Sequence, residues 1–217
     1  MKLDRKRQTQ LLRYAAHLGA LIPFALLLFD WQTDGFGPDP VREITLRTGK
    51  AAIILLVASL AVTPLKLIFG WNQLHPLRRN LGLYAFGYVS LHLLTFVWLD
   101  YGLSWALIQE AIFEKWYALV GFGAFLILLP LALTSSQWSM KKLGKRWTKL
   151  HKWVYLAGVL AVLHYILLVK NTYTQPFIFA SILAVLLLVR LAPIKQQVIR
   201  WRRSTKKKKP VSMSANP

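Results

Sequence analysis

No cysteine occurs in the 217 residues. Disulfides, iron–sulfur clusters, thiol redox chemistry, thiolate ligation and covalent cofactor attachment through CxxCH are thereby excluded. Acidic side chains are scarce too: 8 Asp and Glu stand against 28 Lys and Arg, a formal net charge of +20. There is no GxGxxG after a strand, no Walker loop and no HExxH, so the chain carries no soluble nicotinamide or flavin domain of its own. Polar surface is short as well. With 55% hydrophobic residues and a mean hydropathy of +0.41, the composition exceeds what a soluble domain of this length can bury. A basic excess can signal nucleic acid, but here the charges sit between and beyond apolar runs rather than on a polar face. No nucleic-acid partner is therefore expected, and the pattern is that of a membrane protein with basic loops on one side.

A bilayer core of about 30 Å needs about 20 apolar residues in a helix. Six segments qualify, at residues 11–31, 51–70, 81–99, 116–133, 153–169 and 177–191. Trp31, Trp71, Trp98, Trp116, Trp153 and Tyr173 mark their edges, as an interfacial aromatic belt requires. The expected fold is an all-α membrane protein, a bundle of six transmembrane helices. It divides into a basic N-terminus (1–10), the membrane domain (11–193) and a basic tail (194–217). The opening MKLDRKRQTQ and its apolar continuation have the order of a signal peptide. Arg13 and His17 interrupt the run, however, and no A-x-A-like site follows, so it reads as a retained first helix. The tail reads as a poorly packed anionic-lipid contact or a solvated flank.

Orientation follows from Lys and Arg in the loops. Lys2, Arg5, Lys6 and Arg7, then Arg78 and Arg79, then Lys141, Lys142, Lys145, Arg146, Lys149 and Lys152, and finally Arg200, Arg202, Arg203 and Lys206 to Lys209 fall on one side. Seven of the eight acids, Asp30, Asp34, Asp39, Glu43, Asp100, Glu110 and Glu114, fall on the other. Both termini are expected inside, in the cytoplasm.

Three histidines lie in apolar surroundings: His92 in VSLHLLTFVW, and His151 and His164 in LHKWVYLAGVLAVLHYILLV. An ionisable group at membrane depth is expensive and marks a functional site by default, and neutral imidazole is a strong axial ligand of haem iron. The third and fifth spans run in the same direction. His92 lies about 16 Å above the inner start of its span, and His164 about 20 Å beyond His151, so His92 and His164 are expected within one turn of the same depth. One geometric difficulty accompanies this. Thirteen residues leave His151 and His164 about 140° apart on a straight helix, so they share a face only if that helix is bent, overwound or bulged; Gly158 lies between them. A buried histidine can also simply bond a neighbouring helix. His75, in WNQLHPLRRN, and His17, beside Arg13, are weaker candidates for a haem, quinone or flavin contact. Pro23, Pro64 and Pro130 are expected to kink their helices, and Gly82, Gly87, Gly121 and Gly123 to give close helix approach or room for a macrocycle.

The runs LGKRWTKLHKWVYLAGVLAVLHY and LGLYAFGYVSLHLL, with HLGALIPF and GPDPVREITLRTGK near the start, resemble the MsrQ family over nearly the whole chain. These are haem-binding membrane subunits of the bacterial protein-methionine-sulfoxide reductase system. More distantly the chain is similar to the ferric-reductase transmembrane domain shared with NADPH oxidases. The resemblance implies a b-type haem protein, with one or two haems, of the bacterial inner membrane. It would draw electrons from quinone or a cytosolic flavin reductase, bind FMN, and pass electrons to a periplasmic molybdopterin-containing reductase, where the sulfoxide-reducing centre would lie. By motif, His92 and His164 map to the outer haem pair and His151 to an inner ligand. NADPH oxidases carry a further histidine 14 residues before the outer one; here that position is Arg78, which cannot ligate iron. His151 is then left to pair with His75, to hold a haem from one side, or to contact FMN. Arg78 and Arg79 suit a propionate or an FMN phosphate. A stand-alone ferric or quinone reductase and a proton-coupled transporter are the rival readings. A transporter should show matched broken helices in two related halves, and no such symmetry appears in this sequence.

Overall fold

The computed structural model describes residues 4–169 and 173–207, and among these every regular element is helical. Lys2, Lys208 and Lys209, used above for orientation, lie outside the described residues. The helices are α1 (Arg5–Gln32), α2 (Pro40–Phe69), α3 (Leu77–Leu94), α4 (Trp105–Glu114), α5 (Trp116–Leu133), α6 (Gln137–Leu143), α7 (Lys145–Leu150), α8 (Val154–Leu168), α9 (Thr174–Leu188) and α10 (Ala192–Lys207). α3 runs on as a π-helical turn over Thr95–Asp100, and a 3₁₀ turn over His151–Trp153 joins α7 to α8. Five of these segments are long and apolar enough to cross a membrane. A sixth span exists only if α9 is counted with the first part of α10, from which it is bent by 75°. At 15 residues α9 is about 22 Å long, short of a bilayer core, and the chain turns aside at its basic end.

Local chemistry sets the boundaries. Pro40 opens α2, and the Asp39 side chain accepts from the Arg42 N–H at 3.0 Å, a proline-plus-cap start. This places the start of α2 eleven residues before the apolar run at 51, because Arg42, Glu43, Arg47 and Lys50 are helical without being apolar. Gly70, at φ +77°, ends α2 in the left-handed conformation that glycine adopts without strain. The Arg202 guanidinium donates to the Lys66 and Leu67 carbonyls, both at 3.3 Å. The described part of the tail, α10, is therefore a helix held against the end of α2. α4, too short to span, is a connecting helix at the acidic end. There the Lys115 ammonium donates to the Tyr101 hydroxyl at 2.9 Å, a bond that raises its pKa above the ordinary value.

The core is assembled from small residues. Ala20, Ala51, Ala52, Ala85 and Ala157 meet Leu55, Leu56, Tyr88 and Leu128 where α1, α2, α3, α5 and α8 converge. Small side chains let helices approach closely where lipid offers no hydrophobic drive. Leu18, Ile22 and Phe29 on α1, Leu126 on α5 and Val185 on α9 point outward, as lipid-facing residues do.

Pro23, Pro64 and Pro130 lie inside α1, α2 and α5, and the breaks at the first two are met by side chains from elsewhere in the bundle. Beside Pro23 the Tyr88 hydroxyl donates to the Ala20 carbonyl at 2.7 Å and accepts from the Phe24 N–H at 3.0 Å. Those two groups would bond each other in an uninterrupted helix. Pro64 leaves the Leu60 carbonyl without its donor, and the Arg190 guanidinium donates to it. Removing the bridge at the first break should leave both groups buried and unmatched. Tyr88→Phe is expected to lower stability by about 1–3 kcal/mol, read as a lower thermal midpoint of the detergent-purified protein; an unchanged midpoint would refute the bridging role.

Candidate functional site

His92 comes from the last turn of α3 and His164 from α8. Their rings stand 6.1 Å apart between centroids, with planes at 81°. Matching depth from sequence thus brings the two together. Each ring is fixed from behind by one main-chain carbonyl: His92 Nδ1 lies 2.8 Å from the Thr45 oxygen, and His164 Nδ1 lies 2.6 Å from the Tyr117 oxygen. A carbonyl only accepts, so in both rings Nδ1 carries the proton and Nε2 keeps its lone pair. Neither Nε2 makes a hydrogen bond among the described residues. Such backing is the usual outer-shell partner of a ligating imidazole.

Two glycines make room for this arrangement. A Cβ at Gly121 would lie 2.6 Å from His164 Nδ1, and one at Gly49 would lie 3.1 Å from the His92 ring. Each glycine stands four residues after the carbonyl that holds the ring: Thr45 then Gly49 on α2, and Tyr117 then Gly121 on α5. The carbonyl and the gap beside it are thus one helical turn of the same helix. Gly121 was marked by the sequence for close approach; Gly49, Thr45 and Tyr117 were not. The signal that could have found them is an isolated glycine in each otherwise bulky run, TLRTG and YALVG.

His151 lies at the opposite, basic end. The 3₁₀ turn beginning at His151 turns about 120° per residue instead of 100°, reducing its angular offset from His164 from about 140° to about 80°. Overwinding is therefore how this helix brings the two histidines toward one neighbour, while Gly158 instead packs against Leu60 and Leu183. Both rings reach α5: His164 at Tyr117 and His151 at Leu131, whose carbonyl is 3.2 Å from His151 Nε2. His151 Nδ1 lies 3.1 Å from the Trp147 carbonyl, and the two rings stack at 3.8 Å.

The remaining candidates separate. His17 is bound on both nitrogens, with Nδ1 2.8 Å from the Tyr84 hydroxyl and Nε2 3.2 Å from Asn80 Nδ2; it ties α1 to α3. His75 and Arg79 are exposed in and beside the loop before α3. Arg78 is half-buried, and its charge acts on both His151 and Arg190. No ring contact joins His75 to His151 among the described residues.

Among the described residues no three His, Asp or Glu side chains gather as a metal site. Two facing imidazoles suit instead an iron whose other four positions are filled by its own macrocycle. With metal–nitrogen bonds of about 2 Å, two axial rings stand about 6 Å apart, so the spacing and the free lone pairs fit a bis-histidine haem.

Residues 48–162 match the family model described as the ferric reductase like transmembrane component. Proteins named protein-methionine-sulfoxide reductase heme-binding subunit MsrQ are similar over most of the chain. The one from Rhodospirillum rubrum is 42% identical over 200 residues, covering 92% of this chain and 94% of its own. That from Xanthomonas campestris pv. campestris is 43% identical over 211 residues, covering 94% and 92%. That from Xanthomonas axonopodis pv. citri is 46% identical over 177 residues, covering 79% and 81%. The chain belongs to the MsrQ family. No solved structure matches it. Of the segment shared with the ferric-reductase family, residue 48 lies one before Gly49 and residue 162 two before His164, so His92, Gly121 and His151 fall inside and His164 just outside.

In this MsrQ chain the glycine gaps give a graded test. Gly121→Ala is expected to displace His164 and cost about 1–3 kcal/mol through overpacking. Gly49→Ala should cost less, and Gly87→Ala, where a Cβ meets nothing within 4 Å, should change neither stability nor ligand binding. Thermal midpoints and visible spectra of the three variants check the order; equal behaviour would refute it.

Proposed function

We propose that this chain is a b-type haem electron-transfer subunit of the inner membrane, with His92 and His164 as axial ligands of the haem nearer the acidic end. The observation that carries this reading is the pair of imidazoles whose Nδ1 protons are spent on main-chain carbonyls and whose Nε2 lone pairs stay free. A haem held there supplies one-electron exchange between ferric and ferrous iron, and two strong neutral ligands favour electron transfer over oxygen chemistry. The protein's own part is to fix both rings, to exclude water by enclosing them among apolar helices, and to hold α3 and α8 at the required separation. His151, half-buried toward the basic end with Arg78 near, is the residue proposed for a second haem or for FMN; Arg79, His75 and His17 are secondary to it.

The direction of flow follows from the charges. Basic loops are cytoplasmic by the positive-inside rule, so both termini lie inside and the His92–His164 pair lies toward the periplasm. Electrons would enter from quinone or a cytosolic flavin reductase. They would leave to a methionine-sulfoxide reductase, the system named for the relatives, which in this proposal is a periplasmic molybdopterin-containing protein. Of the acids at that end, Asp39 caps α2, while Glu43 holds Arg47 and the Gly37 N–H, and Asp30 also pairs with Arg47. Asp34, Asp100, Glu110 and Glu114 are exposed and make no ion pair among the described residues, so they are the charges available to steer a partner.

Two measurements test this. His92→Ala and His164→Ala should each abolish the reduced-minus-oxidised haem signal of the outer site, whereas His151→Ala should leave that signal in place; a full spectrum in both of the first two overturns the ligand assignment. With electron donor supplied, the wild type should support sulfoxide reduction only when the soluble reductase is present. Turnover of ferric iron or quinone at the same rate without it would favour a stand-alone reductase.

A further inference from the structure

Arg190, in the turn between α9 and α10, carries a donor set that the protein satisfies only in part. One terminal nitrogen donates to the Leu60 carbonyl, the group left bare by Pro64. The other terminal nitrogen and Nε are shielded from solvent and have no hydrogen-bond partner among the described residues. The guanidinium lies over the Tyr155 ring, 4.7 Å from its centroid. No acidic side chain pairs with it among the described residues, where both ion pairs belong to Arg47 at the far end of the molecule. Another cation, Arg78, stands on the neighbouring helix, its carbonyl accepting from the Ser59 hydroxyl at 2.8 Å, one residue before Leu60.

This arrangement is incomplete as it stands. Buried donors without acceptors are costly, and a buried cation without an anion more so. Capping Leu60 needs one N–H; a neutral side chain would do it. The two remaining nitrogens lie on opposite edges of the planar guanidinium, so they offer N–H groups in two directions to the oxygens of a phosphate or carboxylate. Arg78 adds a second positive charge from α3, and Tyr155 closes the guanidinium face. We infer that Arg190, with Arg78 in support, holds an anionic oxygen group, a phosphate or carboxylate, between α2, α8 and α9 at the basic end. The ligand is the head of a membrane phospholipid or the acidic arm of a bound cofactor, and the site does not depend on the His92–His164 assignment.

The test must separate anion binding from helix capping. Arg190→Gln alone removes both, so it is paired with the double variant Pro64→Ala/Arg190→Gln, in which replacing the proline restores the backbone donor for Leu60. Full-length protein in neutral detergent is titrated with phosphatidylglycerol, phosphatidylcholine, inorganic phosphate and FMN, following the thermal midpoint and retained phosphorus, with haem counted in parallel. Wild type should show saturable binding or stabilisation by at least one anionic probe, and the double variant should fold and bind it about tenfold or more weakly. Lys145→Gln, an exposed lysine among the basic loops, should bind as wild type. An effect of phosphatidylglycerol alone identifies a lipid; an effect of FMN or phosphate identifies a soluble phosphate. Loss of haem from the double variant identifies a cofactor carboxylate. Equal binding by wild type and double variant with full haem content, or no anionic probe acting on wild type and full haem in the variant, overturns the proposal.

Discussion

Main-chain carbonyls do the positioning in this molecule. His92, His151 and His164 each bring Nδ1 to within 3.1 Å of a carbonyl oxygen. In water such a contact would be exchanged for one with solvent at little net gain. Inside a lipid-embedded bundle the imidazole has no such alternative, and for His92 and His164 one contact fixes both the tautomer and the direction of the second nitrogen. The carbonyls at 45 and 117 already belong to helices, so they stand on the rigid part of the fold. That a ring can reach them at all depends on glycine one turn later.

The same constraint explains the prolines. A proline in a span frees a carbonyl that lipid cannot satisfy, and a side chain from a neighbouring helix must do so. Arg190 does this for Leu60 on α2, while on α1 Tyr88 bridges the Ala20 carbonyl and the Phe24 N–H, whose bond is broken beside Pro23. A kinked helix is thereby locked to a particular partner at a particular height, which is what a site built from side chains on separate helices requires.

What the sequence made legible was depth; what it hid was rotation. Apolar runs and a rise of about 1.5 Å per residue put His92 and His164 at one height, and charge asymmetry lent the two ends distinct character. α5 was bounded as read, because Trp116 and Leu133 limit a run with no polar residue. The start of α2 was not legible from hydropathy, since its first turns are charged; the proline and aspartate before it were the better signal. The fifth span's phase was beyond reach for a different reason. Nothing in HKW marks a 3₁₀ turn, which arises where α7 meets α8 and the Trp147 and His151 rings stack. The far ends of the hydrogen bonds were equally hidden, because a carbonyl acceptor is independent of residue type. Arg190, in turn, reads in sequence as one more basic residue at a helix end; only its burial distinguishes it.

The two ends of α5 show why the histidines are not equivalent. At Tyr117 the carbonyl holds His164 through Nδ1, so the ring's other nitrogen is left over by construction. At Leu131 the carbonyl meets His151 through Nε2, while Trp147 engages Nδ1. A neutral imidazole has one N–H, so it cannot donate to both carbonyls. The Leu131 oxygen does not need His151, because the Ser135 hydroxyl already donates to it at 2.7 Å. The Trp147 carbonyl likewise accepts the backbone N–H of His151, so neither carbonyl depends on the imidazole and its proton can sit on either nitrogen. The difference between the ends is that the His92–His164 pair is held open by its surroundings, whereas His151 must turn away from a carbonyl it can spare.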